Sequence, residues 1–516
     1  MEELHILFVK YFLSSVGLLL WGMQLQAQIF VTPSGDDLNS GTLEQPFATI
    51  TKAHSVAQAG DTIFVRGGVY PLLTTVNLSK YGTATQRIHL FAYPGERPIL
   101  DFSGMALSGS NRGIRFQGWY WHIKGLDIKG AGDNGILVDN GSYNIIEFCS
   151  LYENRDTGLQ LANGAAHNRI INCDSYSNAD PSHGNADGFA PKLTVGTGNS
   201  FYGCRAWQNS DDGFDGYLRG ADDVTTVLEH CWIFKNGYLS SGVASNGNGN
   251  GFKLGGGDNG NSDSLKHNVI LKSCIAFDNR VKGFDQNNNR GSMTIHNGSA
   301  YRNGTNYSLS QTLVSGKILT VINSLAVGPF GSIGSFAVQQ TNSWMLPFTV
   351  TSADFASLDT TGMRGPRKPD GSLPDVPFLR LAGGSGLIDA GTNVEIPYHG
   401  AAPDIGAFES GGPITSMGPD NLLPGSFSVF QNYPNPFNPE TMIEFELPLQ
   451  GEVGIQVFDI AGRLVKDILR GELGAGRYRM RWDGTDALAR LAASGVYLAV
   501  VQYGGQKKTL KLQLLK

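Results

Sequence analysis

A cysteine followed five residues later by an asparagine recurs through the middle of the 516-residue chain, and this repeat constrains the fold more than any other feature. The copies are Cys149/Asn154, Cys173/Asn178, Cys204/Asn209, Cys231/Asn236 and Cys274/Asn279. Successive cysteines are 24, 31, 27 and 43 residues apart, which indicates a unit of about 24 residues that also carries inserted loops. Short β-rich segments between Gly and Asn turns, at this period, predict a right-handed parallel β-helix.

In such a coil, equivalent residues of successive turns stack about 4.8 Å apart. The cysteines then form an interior ladder of small apolar side chains, and we expect all of them to be reduced. The asparagines form a turn ladder in which each amide hydrogen-bonds to the copies above and below. The odd number of cysteines excludes a fully paired disulfide scaffold, and the absence of a CxxC motif argues against a zinc cage.

The composition agrees with a coil that turns often and buries its interior. Glycine accounts for 68 residues, and charged residues for only 16%, against a usual share of about 25%. The formal net charge of −6 argues against nucleic acid as a partner, because nucleic-acid binding requires a basic face. We therefore predict an all-β protein, a right-handed parallel β-helix followed by a small C-terminal β-sandwich.

The chain divides into four predicted segments. Residues 1–27 are interpreted as a signal peptide, because the apolar run at 11–21 is too short to cross a bilayer. Residues 28–410 form the predicted β-helix domain with an N-terminal cap, and 411–424 a Gly/Pro-rich linker. Residues 425–516 alternate apolar and polar positions between Asn-Pro and Asp-Gly turns, which predicts the sandwich.

The two ends of the predicted coil need covers, because an open sheet edge invites aggregation. A helix predicted near residues 47–59 would cover the first coil with its apolar face. Residues 386–409 are predicted to close the other end.

A glycine followed by Phe or Leu recurs after each turn asparagine, and aligning the copies on it makes a geometric prediction. The alignment stacks Asp187 on Asp212 and Asp215 on Lys253, one coil apart in each case, with Asp211 alongside. Four carboxylates this close repel one another and require a cation. Oxygen ligands in this number favour Ca²⁺ over zinc.

These segments resemble polysaccharide lyase family nine, the β-helical pectate lyases. The resemblance spans about residues 28–410 and is carried by four motifs: 185–189 (NADGF), 210–215 (SDDGFD), 250–256 (NGFKLGG) and 282–289 (KGFDQNNN). It implies a calcium site at Asp187, Asp211, Asp212 and Asp215, and Lys253 as the catalytic base. It further implies an acidic polysaccharide substrate, pectate or polygalacturonate, that is cleaved by β-elimination.

The residue types suit that chemistry. The C5 proton of a uronide lies next to a carboxylate, and Ca²⁺ on that carboxylate stabilises the charge that develops as the proton leaves. A lysine base with an unperturbed pKa of about 10.4 predicts an alkaline optimum. Substrate carboxylates also need cations along the groove, and the candidates are Lys192, Lys235, Arg280, Lys282 and Arg290.

The C-terminal segment resembles the sorting domains of cargo for the type IX secretion system. The matching residues are 432–439 (NYPNPFNP), 459–463 (DIAGR) and 494–497 (SGVY). This implies that the type IX machinery is a partner and that the protein is secreted or held at the cell surface. We expect a monomer.

Two other functions remain open at this point. The coil could be a lyase for another uronate polymer such as alginate, or a non-catalytic glycan-binding surface β-helix. A glycosidase is disfavoured, because hydrolysis requires paired carboxylates flanking a sugar bond rather than four carboxylates around a cation.

Overall fold

The computed structural model of the protein describes residues 27–257, 264–411, 427–447, 451–473, 476–487 and 490–515. Three long parallel sheets run along a coil, and each turn of the chain adds one strand to the first, the second and then the third sheet. Antiparallel sheets follow in the C-terminal region. The predicted fold class is thereby confirmed. The predicted signal peptide lies, up to residue 26, outside the described residues.

The strands of each sheet are short and are here given in chain order. The first sheet contains Gln28–Val31, Thr62–Val65, Ile88–Ala92, Trp121–Lys124, Ile145–Glu147, Arg169–Ile171, Asn199–Tyr202, Val224–Glu229, His267–Lys272, Met293–His296, Leu319–Ile322 and Val338–Gln340. The second contains Gly68–Pro71, Pro98–Asp101, Asp127–Lys129, Ser150–Tyr152, Asp174–Tyr176, Arg205–Trp207, Trp232–Phe234, Ile275–Phe277, Ser299–Tyr301 and Leu325–Val327. The third contains Val76–Leu78, Ile114–Phe116, Ile136–Asp139, Leu159–Ala162, Phe189–Pro191, Phe214–Asp215, Phe252–Lys253, Lys282–Asp285, Thr305–Leu309 and Gly331–Ile333.

The bend between the first and second sheets carries the predicted cysteine ladder. All five cysteines are buried and none forms a disulfide, as expected. Burial raises the pKa of the Cys149 and Cys231 thiols well above the usual value, so these sulfurs stay protonated and unreactive. The cysteine ladder therefore packs as an apolar element, although cysteine is a reactive residue type.

The bend between the second and third sheets carries the asparagine ladder. Each Nδ2 donates to the Oδ1 of the next copy at 2.8–3.0 Å, from Asn154 through to Asn303. The same Oδ1 atoms accept the backbone N–H of the preceding copy. Every amide therefore both donates and accepts inside the coil, and the predicted ladder is confirmed.

A second amide ladder stabilises the bend that leads back into the first sheet. Asn168 Oδ1 accepts the Asn144 backbone N–H at 3.0 Å, and Asn168 Nδ2 donates to Asn199 Oδ1 at 3.0 Å. Each of these asparagines lies five residues before a ladder cysteine. The sequence therefore contained the signal, at the same spacing on the other side of the cysteine.

The N-terminal helix is shorter than predicted and spans Ile50–Val56. Thr49 caps it by accepting the Lys52 backbone N–H at 3.0 Å. Phe47 is excluded because its backbone pairs with Phe30 of the first strand. The helix buries Ile50 and packs against the strands of the first coil, as expected of a cover.

Contacts divide the chain into two compact units, and the first ends at residue 339. The second contains two single-turn 3-10 helices, Ser343–Met345 and Ser352–Asp354, and the antiparallel sheets. The predicted boundary at 410 and the closing role of residues 386–409 stay predictions. Among the described residues, no helix has the length and apolar character needed to cross a bilayer.

The C-terminal sandwich consists of two antiparallel sheets around one apolar core. One sheet contains Ser428–Tyr433, Thr441–Leu447 and Gly476–Trp482, and the other contains Gly451–Asp459, Leu464–Leu473, Gly495–Tyr503 and Gln506–Leu514. Residues of both sheets bury their side chains together, among them Phe445, Ile455, Trp482, Val501 and Leu512. The alternation of buried and exposed positions predicted from the sequence is present along these strands.

Candidate active site

The backbone of the third sheet brings the predicted site residues into register. Phe214 pairs with Phe252, and Asp215 therefore pairs with Lys253 on the next coil. At the preceding bend, the Gly188 N–H donates to the Asp212 carbonyl at 2.9 Å. The stacking predicted from the glycine alignment is thus present in the structure.

The aligned glycine is required by a close approach. A Cβ at Gly213 would lie 2.0 Å from Ile233 Cγ2 and 2.6 Å from the ladder amide of Asn236. A side chain there would push the bend away from the asparagine ladder. The glycine thereby lets the backbone between Asp212 and Asp215 lie directly against the ladder.

The side chains form a cluster of three carboxylates and two lysines. Oxygens of Asp187, Asp212 and Asp215 lie within 4.8 Å of one another. Lys253 Nζ is 3.1 Å from Asp212 Oδ2 and 3.4 Å from Asp215 Oδ1. Lys192 Nζ is 2.7 Å from Asp187 Oδ2 and 3.6 Å from Asp215 Oδ2. All five residues are buried.

Backbone groups fix the carboxylates from behind. Asp187 Oδ1 accepts the Asp212 N–H at 3.1 Å, and Asp212 Oδ1 accepts the Asn250 N–H at 2.8 Å. The fourth predicted ligand, Asp211, accepts the backbone N–H of Asn248 and its Nδ2 at 3.0 Å. One oxygen of each of these three carboxylates thus accepts a hydrogen bond from the following coil.

Burial and crowding disturb the ionisation of these groups. Burial raises the pKa of Asp187 to about 7, with Lys192 opposing the shift and Asp215 adding to it. Burial likewise raises the pKa of Asp212 well above its usual value. Asp215 is the exception, because Lys253 and Lys192 overcome its burial and lower its pKa. These carboxyl groups compete for too few positive charges.

The pKa of Lys253 is shifted upward, whereas a catalytic base needs a pKa that is shifted downward. Burial lowers the pKa of the Lys253 amine, but Asp215, Asp212, Asp187 and Asp211 outweigh it and raise the pKa well above its usual value. Without a further cation, this amine is protonated at neutral pH.

The cluster fits Ca²⁺. Its donors are all oxygens, as a hard cation prefers. Asp212 Oδ2 is fully buried and accepts no hydrogen bond from the described residues, and it forms an ion pair with the Lys253 ammonium at 3.1 Å. A buried carboxylate oxygen left in this state is stabilised by a cation. Asp187, Asp212 and Asp215 are the described residues whose oxygens converge and that would hold it, whereas the predicted ligand Asp211 is not in this group.

The predicted substrate-contacting cations differ in their surroundings. Lys192 is buried inside the cluster. Lys282 is 34% exposed and paired with Asp285 at 3.0 Å, and Asp285 is the register neighbour of Lys253. Arg290 donates to the carbonyl and to Oγ1 of Thr312.

A histidine that no sequence pattern indicated supports the site backbone. His267 Nδ1 donates to the Gly216 carbonyl at 2.7 Å, and its Nε2 accepts from Thr226 Oγ1 at 2.8 Å. Burial lowers its pKa to about 4, so it is neutral. Gly216 directly follows Asp215, and its N–H donates to the Lys253 carbonyl at 2.8 Å. The contact joins positions 51 residues apart, which local spacing does not reveal.

Comparison with known proteins identifies the coil. A family model described as "Pel9A-like, right handed beta helix region" matches residues 29–323, more than half of the chain. The chain belongs to this Pel9A-like family of polysaccharide lyases. The matched range contains the whole carboxylate and lysine cluster. The family is a right-handed β-helix, as predicted from the sequence. A separate family, "FlgD Ig-like domain", matches residues 438–507 of the sandwich.

Individual proteins named pectate lyase are also similar to this chain over most of its length. "Pectate lyase L" of Dickeya chrysanthemi is 37% identical over 401 residues, which cover 75% of this chain and 92% of that protein. "Pectate lyase L" of Paenibacillus polymyxa is 39% identical over 391 residues, covering 70% and 83%. The crystal structure of pectate lyase Pel9A superposes with a TM-score of 0.69 at 36% identity, covering 76% of this chain and 98% of that one.

Proposed function

We propose that the protein is a secreted, calcium-dependent pectate lyase that cleaves 1,4-linked galacturonan by β-elimination with Lys253 as the base. Membership of a lyase family and relatives named pectate lyase support the reaction class. The observation that carries the site assignment is the position of Lys253 Nζ, 3.1 Å and 3.4 Å from two carboxylates of an all-oxygen cluster.

The reaction requires the chain to hold a uronide with its C5 proton facing an amine. Lys253 in its neutral form takes that proton, the electron pair forms the C4–C5 double bond, and the bond from C4 to the glycosidic oxygen breaks. Ca²⁺, when bound, supplies a divalent charge that neutralises the uronate carboxylate and stabilises the charge developing at C5. Water protonates the departing oxygen in this proposal. The product is a 4,5-unsaturated uronide.

Asp212 and Asp215 hold the Lys253 amine in position but also favour its charged form. Any cation that occupies these carboxylates withdraws that stabilisation and lowers the pKa of the amine. The protein therefore couples loading of the acidic cluster to creation of its own base. Because the starting pKa is raised, the fraction of neutral amine grows with pH, and activity is expected to rise into the alkaline range.

Further roles follow from the sequence and are part of the proposal. Lys282 and Arg290 contact substrate carboxylates, and Lys192 is a third candidate whose ammonium is already paired. Residues 1–27 direct export, the 28–410 domain is the lyase, and 411–424 links it to the 425–516 domain. That domain engages the type IX secretion machinery. The enzyme acts outside the cell or at its surface as a monomer.

The test is to incubate the full chain with polygalacturonate and to measure the unsaturated uronide that forms by its ultraviolet absorbance. We expect product in calcium and none after chelation, with recovery when calcium is restored. Asp212→Asn should weaken calcium binding, and an unaltered calcium requirement in that variant would count against the site. Product from alginate alone would favour the other uronate lyase, and no product from any uronate would favour a glycan-binding coil.

A further inference from the structure

Lys192 takes no part in the proton transfer proposed above, and its ammonium is buried in the cluster and paired with Asp187 and Asp215 rather than open to a substrate. Its side chain is 7% exposed, and Asp187 and Asp215, which it contacts, are 0% and 5% exposed. A lysine taken out of water to this extent is costly unless carboxylates compensate it.

The two lysines divide the oxygens of one aspartate. Asp215 presents Oδ2 to Lys192 at 3.6 Å and Oδ1 to Lys253 at 3.4 Å. Lys192 also donates to Asp187 Oδ2 at 2.7 Å, an oxygen that accepts from Thr157 Oγ1 at 3.3 Å as well. The Lys192 ammonium therefore lies on the same carboxylates that would ligate Ca²⁺.

The charges of the cluster give this arrangement a consequence. When all four predicted ligands are ionised, Asp187, Asp211, Asp212 and Asp215 carry more negative charge than the two ammoniums balance, and Asp156 adds to the negative charge that acts on Lys192. Removing one ammonium leaves an additional negative charge unbalanced in a buried site, which penalises the calcium-free state most.

We infer that Lys192 is a resident counter-cation that stabilises the calcium-free site and limits its calcium affinity. The inference rests on the proposed function, since it assumes that the cluster is the calcium site. Lys192 keeps the carboxylates together before the metal arrives and is in competition with it afterwards. Loss of the ammonium then destabilises the calcium-free protein and tightens calcium binding, because the metal gains the interactions that the ammonium gave up.

The experiment compares Lys192→Met with wild type in the full chain, using calorimetric titration with calcium and the thermal midpoint in chelator and in saturating calcium. Lys192→Met should bind calcium on the order of tenfold more tightly. Its midpoint should fall in chelator and recover in calcium. Lys192→Arg, which retains the charge, should stay close to wild type. Lys272→Met, which removes a lysine paired with Glu229 at 3.2 Å on the first sheet, is the matched control and should leave calcium affinity unchanged.

A rescue variant separates charge balance from simple packing. If Lys192→Met folds poorly in chelator, Lys192→Met with Asp187→Asn should restore the midpoint, because one negative charge has been removed with one positive charge. Calcium affinity in Lys192→Met that equals or falls below the wild-type value, or a double variant less stable than the single one, would overturn the inference. Failure of the wild type itself to bind calcium would instead contradict the proposed function, and the chelator midpoints with the rescue would still decide the role of Lys192.

Discussion

The asparagine ladder and the carboxylate cluster are neighbouring stacks of buried polar side chains on the same coils, and they behave in opposite ways. An amide both donates and accepts, so Asn178, Asn209 and Asn236 satisfy one another at 2.8–3.0 Å. A carboxylate only accepts, so stacking Asp187 over Asp212 produces repulsion that the coil cannot relieve by itself. The first stack contributes stability, whereas the second creates a demand for cations.

The difference shows how one repeat can build both a scaffold and a site. A stack of acids in place of a stack of amides is no longer self-sufficient and needs charge from outside. The pKa of Asp187, raised to about 7 by burial, is a direct sign of this unmet demand. The following predictions test the contrast, from the largest expected effect to the smallest.

Removing the amine should abolish catalysis. In Lys253→Ala at saturating calcium, we expect turnover of polygalacturonate to fall by at least about a thousandfold, because a positioned base contributes about that factor. Circular dichroism should report an unchanged coil. Turnover within tenfold of wild type would contradict the role of Lys253. It would mean that the cluster, like the ladder, has a structural role only.

Breaking the amide ladder should act on stability instead. Asn209→Ala removes the donor to Asn236 Oδ1 and the acceptor for Asn178 Nδ2, leaving buried groups unpaired. We expect the free energy of unfolding to fall by about 2–4 kcal/mol, measured by denaturant titration. The exposed Asn77→Ala is the control and should change it little. If Asn209→Ala lost turnover in its folded fraction but kept its stability, the proposed difference between a stabilising ladder and a catalytic cluster would be contradicted.

Acid should weaken calcium binding but not the ladder. The pKa of Asp187 is raised, so its carboxyl binds a proton as the pH falls through about 7, and that proton must leave before the metal binds. Calcium affinity measured by titration should therefore fall by at least about tenfold per pH unit below 7, because the pKa of Asp212 is raised as well and its proton must also leave. An affinity that is constant between pH 5 and 8 would mean that the carboxylates are ionised already.

Much of this arrangement could be predicted from the sequence, because a β-helix converts spacing into position. Aligning copies on Gly188, Gly213 and Gly251 was sufficient to stack Asp215 with Lys253, since the third sheet keeps that register. Lys192 is one of the cations that the sequence predicts along the groove, but its pairing with Asp187 could not be derived, because its long side chain returns to the preceding bend. The His267 contact joins separate coils through one hydrogen bond and has no repeat to mark it.

The unequal spacing of the cysteines has a consequence for how such an enzyme changes over evolution. The extra residues before Gly188 and Gly251 enter between a ladder asparagine and the glycine that follows it, directly beside the cluster, while the stacked positions keep their neighbours. Loop length can therefore vary at the rim of the site without moving the groups at its centre. Selection for a new polymer could alter the surroundings of the site and leave its chemistry, and the fold beneath it, unchanged.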